Sequence, residues 1–442
     1  MRRLIFLCSL TLSLPLAAED LLSLYQRAVL SSPELNGSEY TLEILRAQER
    51  QAIGKLLPQV SLMGNYSINR FSREKSQFSP AVSTEYPGTR ATINLQQPLF
   101  DLQAYLLAKS QEAKTSQAEE DLLAAHQKLI ADLIERYFDA LKAADESEII
   151  AAELSSTEKQ LARVEAMHAR QMAMITDLYE LQARVETLRT SLIDTENNAR
   201  IALEKLRELT GDAVTSIQPT RLDTFLPPPE GSIESWVDQA GKINPELQAL
   251  KHAVESAKQS IAAYKAGYFP RLELQLSESY SDTAYNNQQS PPFDVATAAV
   301  QATLPIYEGG TTTARIREAE ARKRLSEANL EQKLRELEKL TRAAYLDMET
   351  SPARSKATDR QLAASEKSRD AMQKGYELGV VSIVDLLDAE KRLSDARKEQ
   401  RKARYRYFTA RSSLYHQTGR LIGEELAQMN EWLVSQASGS KK

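Results

Sequence analysis

The chain has 442 residues, a mass of 49.5 kDa, and 56 basic against 61 acidic side chains, which gives a formal net charge of −5. This balance excludes the strongly basic surface that nucleic-acid binding requires, so we expect no nucleic-acid partner. Glycine and proline, at 15 and 16 residues, are scarce and clustered. Their distribution predicts long uninterrupted helices or strands.

The first eighteen residues have the three-part layout of a secretory signal peptide. Arg2 and Arg3 precede an apolar run over 4–18 that ends in small residues. This run is shorter than the about 20 residues that a membrane-spanning helix needs. Cleavage after Ala18 would leave a mature chain without cysteine, because Cys8 lies inside the removed segment. The chain is therefore predicted to be exported.

An internal duplication organises the rest of the chain. The sequence SPEL at 32–35 recurs as NPEL at 244–247, displaced by 212 residues, and MITD at 174–177 recurs as SIVD at 382–385, displaced by 208. The predicted organisation is a signal peptide at 1–18, a first repeat at 19–212, a proline-rich linker at 213–232, a second repeat at 233–425 and a C-terminal tail at 426–442.

Each half is predicted to end in two very long helices. Residues 99–210 contain no glycine or proline, and 311–374 contain a single proline. From Leu181 and again from Leu393, apolar or small residues recur at alternating steps of four and three, which is typical of a coiled coil. The predicted helices cover about 101–168, 175–210, 311–374 and 383–418. The helices alone fit a soluble scaffold equally well.

Four shorter segments alternate between apolar and polar residues with the period of a β-strand. They cover about 58–70, 89–99, 270–281 and 293–305, lengths that suit tilted strands across a bilayer. Aromatic residues lie near both ends of these strands, as at membrane interfaces. The segments 71–88 and 281–292 are predicted to be external loops. A closed membrane barrel usually needs about eight strands or more, so several copies of the chain must associate.

These features together resemble the TolC family of outer-membrane efflux channels. The likeness covers essentially all of 19–420, and its most specific part is the run GYELGVVSIVDLLDAEKRLSDARKEQRKARYRYF at 375–408. It implies a mainly α fold with a membrane β-barrel: a homotrimer whose three chains, with four strands each, form one 12-stranded barrel and a periplasmic α-helical tunnel. Each chain then contributes duplicated half-repeats, each with two β-strands and long coiled-coil helices.

The resemblance also implies a function. The chain would be a passive duct in the outer membrane of a Gram-negative bacterium, in contact with outer-membrane lipid and extending into the periplasm. It would serve a tripartite efflux pump or a type I secretion system, docking with a periplasmic adaptor and an inner-membrane transporter. The cargo is not indicated by the sequence.

The same resemblance locates a gate at the periplasmic tip of the coiled coils. Asp385 and Asp388 match the aspartates that ring the family's entrance, Tyr376 matches a gating tyrosine, and Asp177 matches an aspartate of the other helix pair. Acids near the start of a helix also interact favourably with its dipole, which is an alternative role for Asp385 and Asp388.

Two positions at this tip depart from the family pattern. Val381 stands where the best-known member has arginine, and Gln171 stands where a glycine is expected. The gate of this chain is therefore predicted to lack the arginine of the usual inter-repeat ion pair.

No pattern in the sequence indicates an enzyme. The histidines His126, His168, His252 and His416 show no metal-ligand spacing, and no glycine-rich phosphate loop is present. We expect no catalytic activity, no cofactor and no metal site. The alternative to a channel is a soluble periplasmic coiled-coil scaffold or adaptor protein, and the four alternating strands favour the channel.

Overall fold

The computed structural model describes residues 19–219, 227–283 and 291–434, in which the chain forms nine α-helices and four β-strands. The predicted signal peptide lies outside the described residues. The elements are α1 (Leu21–Ser31), α2 (Pro33–Gly54), β1 (Gln59–Arg73), β2 (Val82–Phe100), α3 (Leu102–His168), α4 (Ile175–Thr210), α5 (Ile233–Ile243), α6 (Pro245–Ala266), β3 (Arg271–Thr283), β4 (Phe293–Thr303), α7 (Thr311–Glu377), α8 (Ile383–Gln417) and α9 (Gly423–Val434).

The element order confirms the duplicated fold class. Two helices, two strands and two long helices occur once from α1 to α4 and again from α5 to α8. The local signals repeat as well. Asp20 and Ser232 cap α1 and α5 by accepting backbone N–H bonds, and Pro33 and Pro245 each occupy the first position of the next helix.

A four-stranded antiparallel sheet, in the order β1-β2-β3-β4, is the main feature of one compact unit formed by 37–123 and 245–335. We call this the sheet unit. The central pairing joins the two repeats, with β2 of the first against β3 of the second from Gly88↔Thr283 to Phe100↔Leu272. Within the described part of the chain, β1 and β4 each have one strand neighbour, so both edges of the sheet are open.

The first hairpin differs from the prediction. The sequence predicts an external loop over 71–88, but β1 and β2 continue to pair as far as Arg73↔Val82. Only Gly88 and later residues of β2 also pair with β3, so the extra length is a two-stranded ribbon. An ion pair in which Arg70 Nε lies 2.6 Å from Glu85 Oε1 stabilises this ribbon across the strands.

The described residues of 19–36, 124–244 and 336–434 form a second compact unit, which we call the helical unit. Its core contains side chains of both repeats. Phe138 of α3 is fully buried and stacks on Phe408 of α8 at a centroid distance of 5.1 Å. Tyr137 and its repeat equivalent Tyr345 each donate a 3.0 Å hydrogen bond from the hydroxyl to a backbone oxygen of the inter-repeat segment.

The C-terminal part of this unit corrects another prediction. Residues from 426 onward were assigned to a tail, but α9 runs from Gly423 to Val434. Leu426, Met429 and Leu433 are spaced for one helix face and are buried in the core. Burial of this apolar face explains why the segment is helical.

Candidate functional site

The predicted gate residues lie at two helix-to-helix turns of the helical unit that are built alike. At the end of α3, Met172 N donates to Met167 O and Gln171 N donates to His168 O; at the end of α7, Val380 N donates to Gly375 O and Gly379 N donates to Tyr376 O. Both are Schellman motifs, which end a helix through one residue in the left-handed conformation. That residue is Gln171 at φ 61° in the first turn and Gly379 at φ 74° in the second. Gln171, which stands where the family pattern has glycine, therefore adopts a backbone conformation that favours glycine.

Tyr376 and Asp177 lie near each other at this end of the unit. Tyr376 is half-buried and packs against a small apolar cluster formed by Val164, Leu181, Ile383 and Leu386, so that all four long helices contribute to the contact. Burial, and secondarily the neighbouring Asp177 carboxylate, raise the pKa of the Tyr376 phenol. The fold thus brings together one of the predicted gate residues from each repeat.

Asp385 and Asp388 are exposed on the first turns of α8. Ser382 caps this helix: its hydroxyl accepts a bond from Asp385 N and donates to Asp385 Oδ2 at 2.7 Å. Asp385 therefore lies in the first turn of α8, where its carboxylate interacts favourably with the helix dipole, the alternative role named in the sequence analysis. Because Asp388 follows one turn later, both carboxylates project from the same side of α8 and are exposed to solvent.

Val381 packs back onto its own turn. A Cβ atom placed on Gly375 would come within 2.5 Å of Val381 Cγ2, which shows how closely the two residues approach. The position that carries arginine in the best-known member of the family therefore forms an apolar contact inside the α7–α8 turn. The turn next to it exposes Leu378 and Val380.

The sequence analysis did not predict the polar contacts that link the two repeats near these turns. Gln160 of α3 donates from Nε2 to Oε1 of Glu390 on α8, and Arg163 Nη1 of α3 lies 3.3 Å from Glu377 Oε1 of α7. Glu390 is only 8% exposed. A signal for it exists: Glu390 lies four residues after Leu386 and three before Leu393, the spacing of the buried face.

The sheet unit has two different faces. One row across the strands consists of Val60, Leu95, Leu276 and Ala298, and the next row consists of Leu62, Ile93, Glu278 and Ala296. Apart from Glu278, these rows are apolar, and Val60 and Leu62 are exposed. The opposite face is polar: Thr92 Oγ1 lies 3.1 Å from Ser279 Oγ, and Gln275 donates to Gln301 at 2.9 Å.

Within the described part of the chain, no cluster of three or more His, Cys, Asp or Glu side chains is arranged to bind a metal ion. Among the described helices, none has the length and apolar character required to cross a membrane.

The comparisons with known proteins agree with this architecture. The family described as outer membrane efflux protein matches residues 24–212 and 236–420, one segment in each repeat. The chain is 26% identical to outer membrane protein TolC of Vibrio cholerae over 427 residues, covering 96% of both chains. It is 28% identical to the alkaline protease secretion protein AprF of Pseudomonas aeruginosa over 419 residues, covering 92% of this chain and 86% of the relative.

Solved structures show the same fold. The outer-membrane channel CmeC of Campylobacter jejuni aligns with a TM-score of 0.82 at 15% identity, covering 93% of this chain and 89% of CmeC. The outer membrane protein VceC of Vibrio cholerae aligns with a TM-score of 0.79 at 18% identity, covering 90% of this chain and 96% of VceC. Because the family match takes in both repeats, with the sheet and the paired long helices, this chain belongs to the outer membrane efflux protein family.

Proposed function

We propose that this chain is one subunit of a passive export duct in the outer membrane of a Gram-negative bacterium. The observation that carries the proposal is the four-stranded sheet with one exposed apolar face and one polar face. A soluble sheet buries its apolar face against a core, whereas a transmembrane sheet turns that face to lipid and its polar face to a lumen. This contrast favours a channel over a soluble scaffold.

The duct is a homotrimer. A sheet with open edges at β1 and β4 exposes unpaired backbone groups, which cannot be left unsatisfied in lipid. Three copies joined edge to edge contribute four strands each, or 12 in all, enough for a closed barrel. The helical units of the three copies then line the periplasmic part of the duct.

Energy and cargo selection come from partners. A channel made of fixed helices and strands has no means of driving transport. The energy is therefore supplied by a periplasmic adaptor and an inner-membrane transporter. The relatives divide between two uses: AprF is named for secretion of an alkaline protease, and CusC of Escherichia coli is named for cation efflux. Both uses are consistent with one passive duct in which the transporter decides what enters.

The periplasmic entrance is formed by the α3–α4 and α7–α8 turns. Asp177 and Tyr376 hold the two repeats together there, and Asp385 and Asp388 of three chains form two rings of carboxylates. The nearness of Tyr376 to Asp177 and the exposure of both α8 aspartates support this assignment.

Cell fractionation tests the proposed function. We expect the protein in detergent-extracted outer membrane as an oligomer whose electrophoretic mobility changes on heating. Purified oligomer in a planar bilayer should produce discrete conductance steps. Release of the whole protein by osmotic shock, as a monomer, would identify it as a soluble periplasmic scaffold instead.

A further inference from the structure

A buried carboxylate connects the two repeats near the entrance. Glu390 lies about two turns after the start of α8, and its partner Gln160 lies about two turns before the end of α3. Only Oε1 of Glu390 receives the Gln160 hydrogen bond. The other oxygen, Oε2, is buried and has no hydrogen-bond partner among the described residues.

Glu390 also lines a small polar cavity. The cavity has a volume of about 50 Å³ and is lined on α8 by Glu390 and Ser394, and on α3 by Glu153 and Ser156. Ser394 is 5% exposed, and its hydroxyl also has no hydrogen-bond partner in the part of the chain that the structure describes. A cavity of this size and polarity can hold ordered water, so the carboxyl group can exchange a proton without unfolding of the helices.

The charged groups around Glu390 come from each of the four long helices. Glu153 of α3 faces it but forms an ion pair with Arg184 of α4, while Arg369 of α7 and Arg397 of α8 line the same cavity. Burial raises the pKa of Glu390, and Glu153 adds to that effect; the Gln160 hydrogen bond, Arg369 and Arg184 act in the opposite direction without cancelling it.

We propose that the Gln160–Glu390 contact is a proton-dependent link between the two repeats of one subunit, which favours the closed entrance when Glu390 is protonated. This inference rests on the proposed function, since it names the regulation of that same entrance. A protonated carboxyl can remain in the cavity while it is bonded to Gln160. A carboxylate there is a buried charge with a single protein hydrogen bond, and the free-energy cost of its desolvation is recovered by hydration when α3 separates from α8.

The direction of the pH effect follows from the raised pKa. The link is fully stabilised at pH values below the pKa of a solvated glutamate, and this stabilisation is lost as the pH rises through the higher pKa of buried Glu390. The entrance should therefore open more readily at neutral or alkaline pH than at acidic pH.

Two measurements on the intact purified oligomer test the link. Single-channel conductance is recorded from pH 5 to pH 8, and hydrogen exchange of the 383–393 backbone amides, corrected for the intrinsic pH dependence, is followed over the same range. We expect both conductance and corrected exchange to rise several-fold with pH in the wild type. Glu390→Gln, which is neutral and nearly the same shape, should stay at the low, acid-like value throughout.

Two further variants sharpen the test. Gln160→Leu removes the hydrogen-bond partner of Glu390. The backbone amides of 383–393 should therefore exchange rapidly in this variant even at pH 5. Glu399→Gln removes an exposed charge from the same helix and should keep the wild-type pH profile. An unchanged pH profile in both Glu390→Gln and Gln160→Leu would overturn the link. If no channel forms but Glu390→Gln still abolishes the pH dependence of exchange, the link stands and the proposed function fails.

Discussion

At the scale of single residues, the α3–α4 and α7–α8 turns differ at one position, where the left-handed backbone conformation is unfavourable for any residue except glycine. Gln171 and Gly379 are repeat equivalents with the same left-handed conformation. A residue other than glycine has about 1–2 kcal/mol higher energy in that conformation. The first-repeat turn is therefore under more strain than the second.

Gln171→Gly should relieve this strain. We expect the turn to be stabilised by about 1 kcal/mol, which corresponds to about a fivefold slowing of hydrogen exchange in the 167–175 segment. Gly379→Gln is the matched control, because space for a Cβ atom is free there and only the backbone conformation opposes it. Exchange at 375–383 should become faster in that variant. Equal exchange in wild type and Gln171→Gly would show that the turn is not strained.

The exposed aspartates of α8 lead to a prediction about ion block. Two stacked rings of three carboxylates at a narrow entrance would concentrate negative potential and bind multivalent cations. A trivalent cation added from the periplasmic side should block the single-channel current of the wild type. The block should weaken at high salt, where charges are screened, and be largely lost when Asp385→Ala and Asp388→Ala are combined. Persistence of the block in that double variant would leave Asp385 only its role at the start of α8.

At the scale of elements, the sheet predicts different tolerance on its two faces. Leu274 lies on the apolar face opposite Val300, whereas its neighbour Gln275 lies on the polar face and bonds to Gln301. Arginine on a lipid-facing position near the bilayer midplane costs about 2–4 kcal/mol. Leu274→Arg should therefore reduce the heat-modifiable oligomer in the outer membrane far more than Gln275→Arg. Equal amounts of assembled oligomer would contradict the assignment of the apolar face to lipid.

At the scale of the whole molecule, the duplication matters most where the repeats share a core. Phe138 of the first repeat is fully buried against Phe408 of the second. Phe138→Ala should destabilise the helical unit by about 3–5 kcal/mol, because it loses apolar burial and leaves a cavity. The destabilisation is measured in detergent as the drop in the midpoint temperature at which helical circular dichroism is lost. The midpoint should drop much less for Phe138→Leu than for Phe138→Ala. A midpoint for Phe138→Ala equal to that of the wild type would show that this contact does not hold the repeats together.

The periodic features of this protein follow from its amino-acid sequence alone. Long runs without glycine or proline, the period of the strands and the 208-residue displacement are local or nearly local properties, so the helices, strands and duplication were predictable. The resemblance of the sequence to a family also predicts a gate formed by Asp177, Tyr376, Asp385 and Asp388. The C-terminal helix was missed although its apolar spacing was present, because only burial of Leu426 and its neighbours distinguishes that helix from a tail.

Which distant residues come into contact depends on tertiary packing. The pairing of β2 with β3 and the nearness of Tyr376 to Asp177 depend on contacts between repeats, which no local pattern specifies. The same holds for Glu390: a basic segment follows it along the chain, and although its spacing is compatible with the buried face of α8, its burial follows from the packing of α8 against α3. The physical reason is that the environment of a side chain, and hence its charge state, is set by neighbours that are remote along the chain.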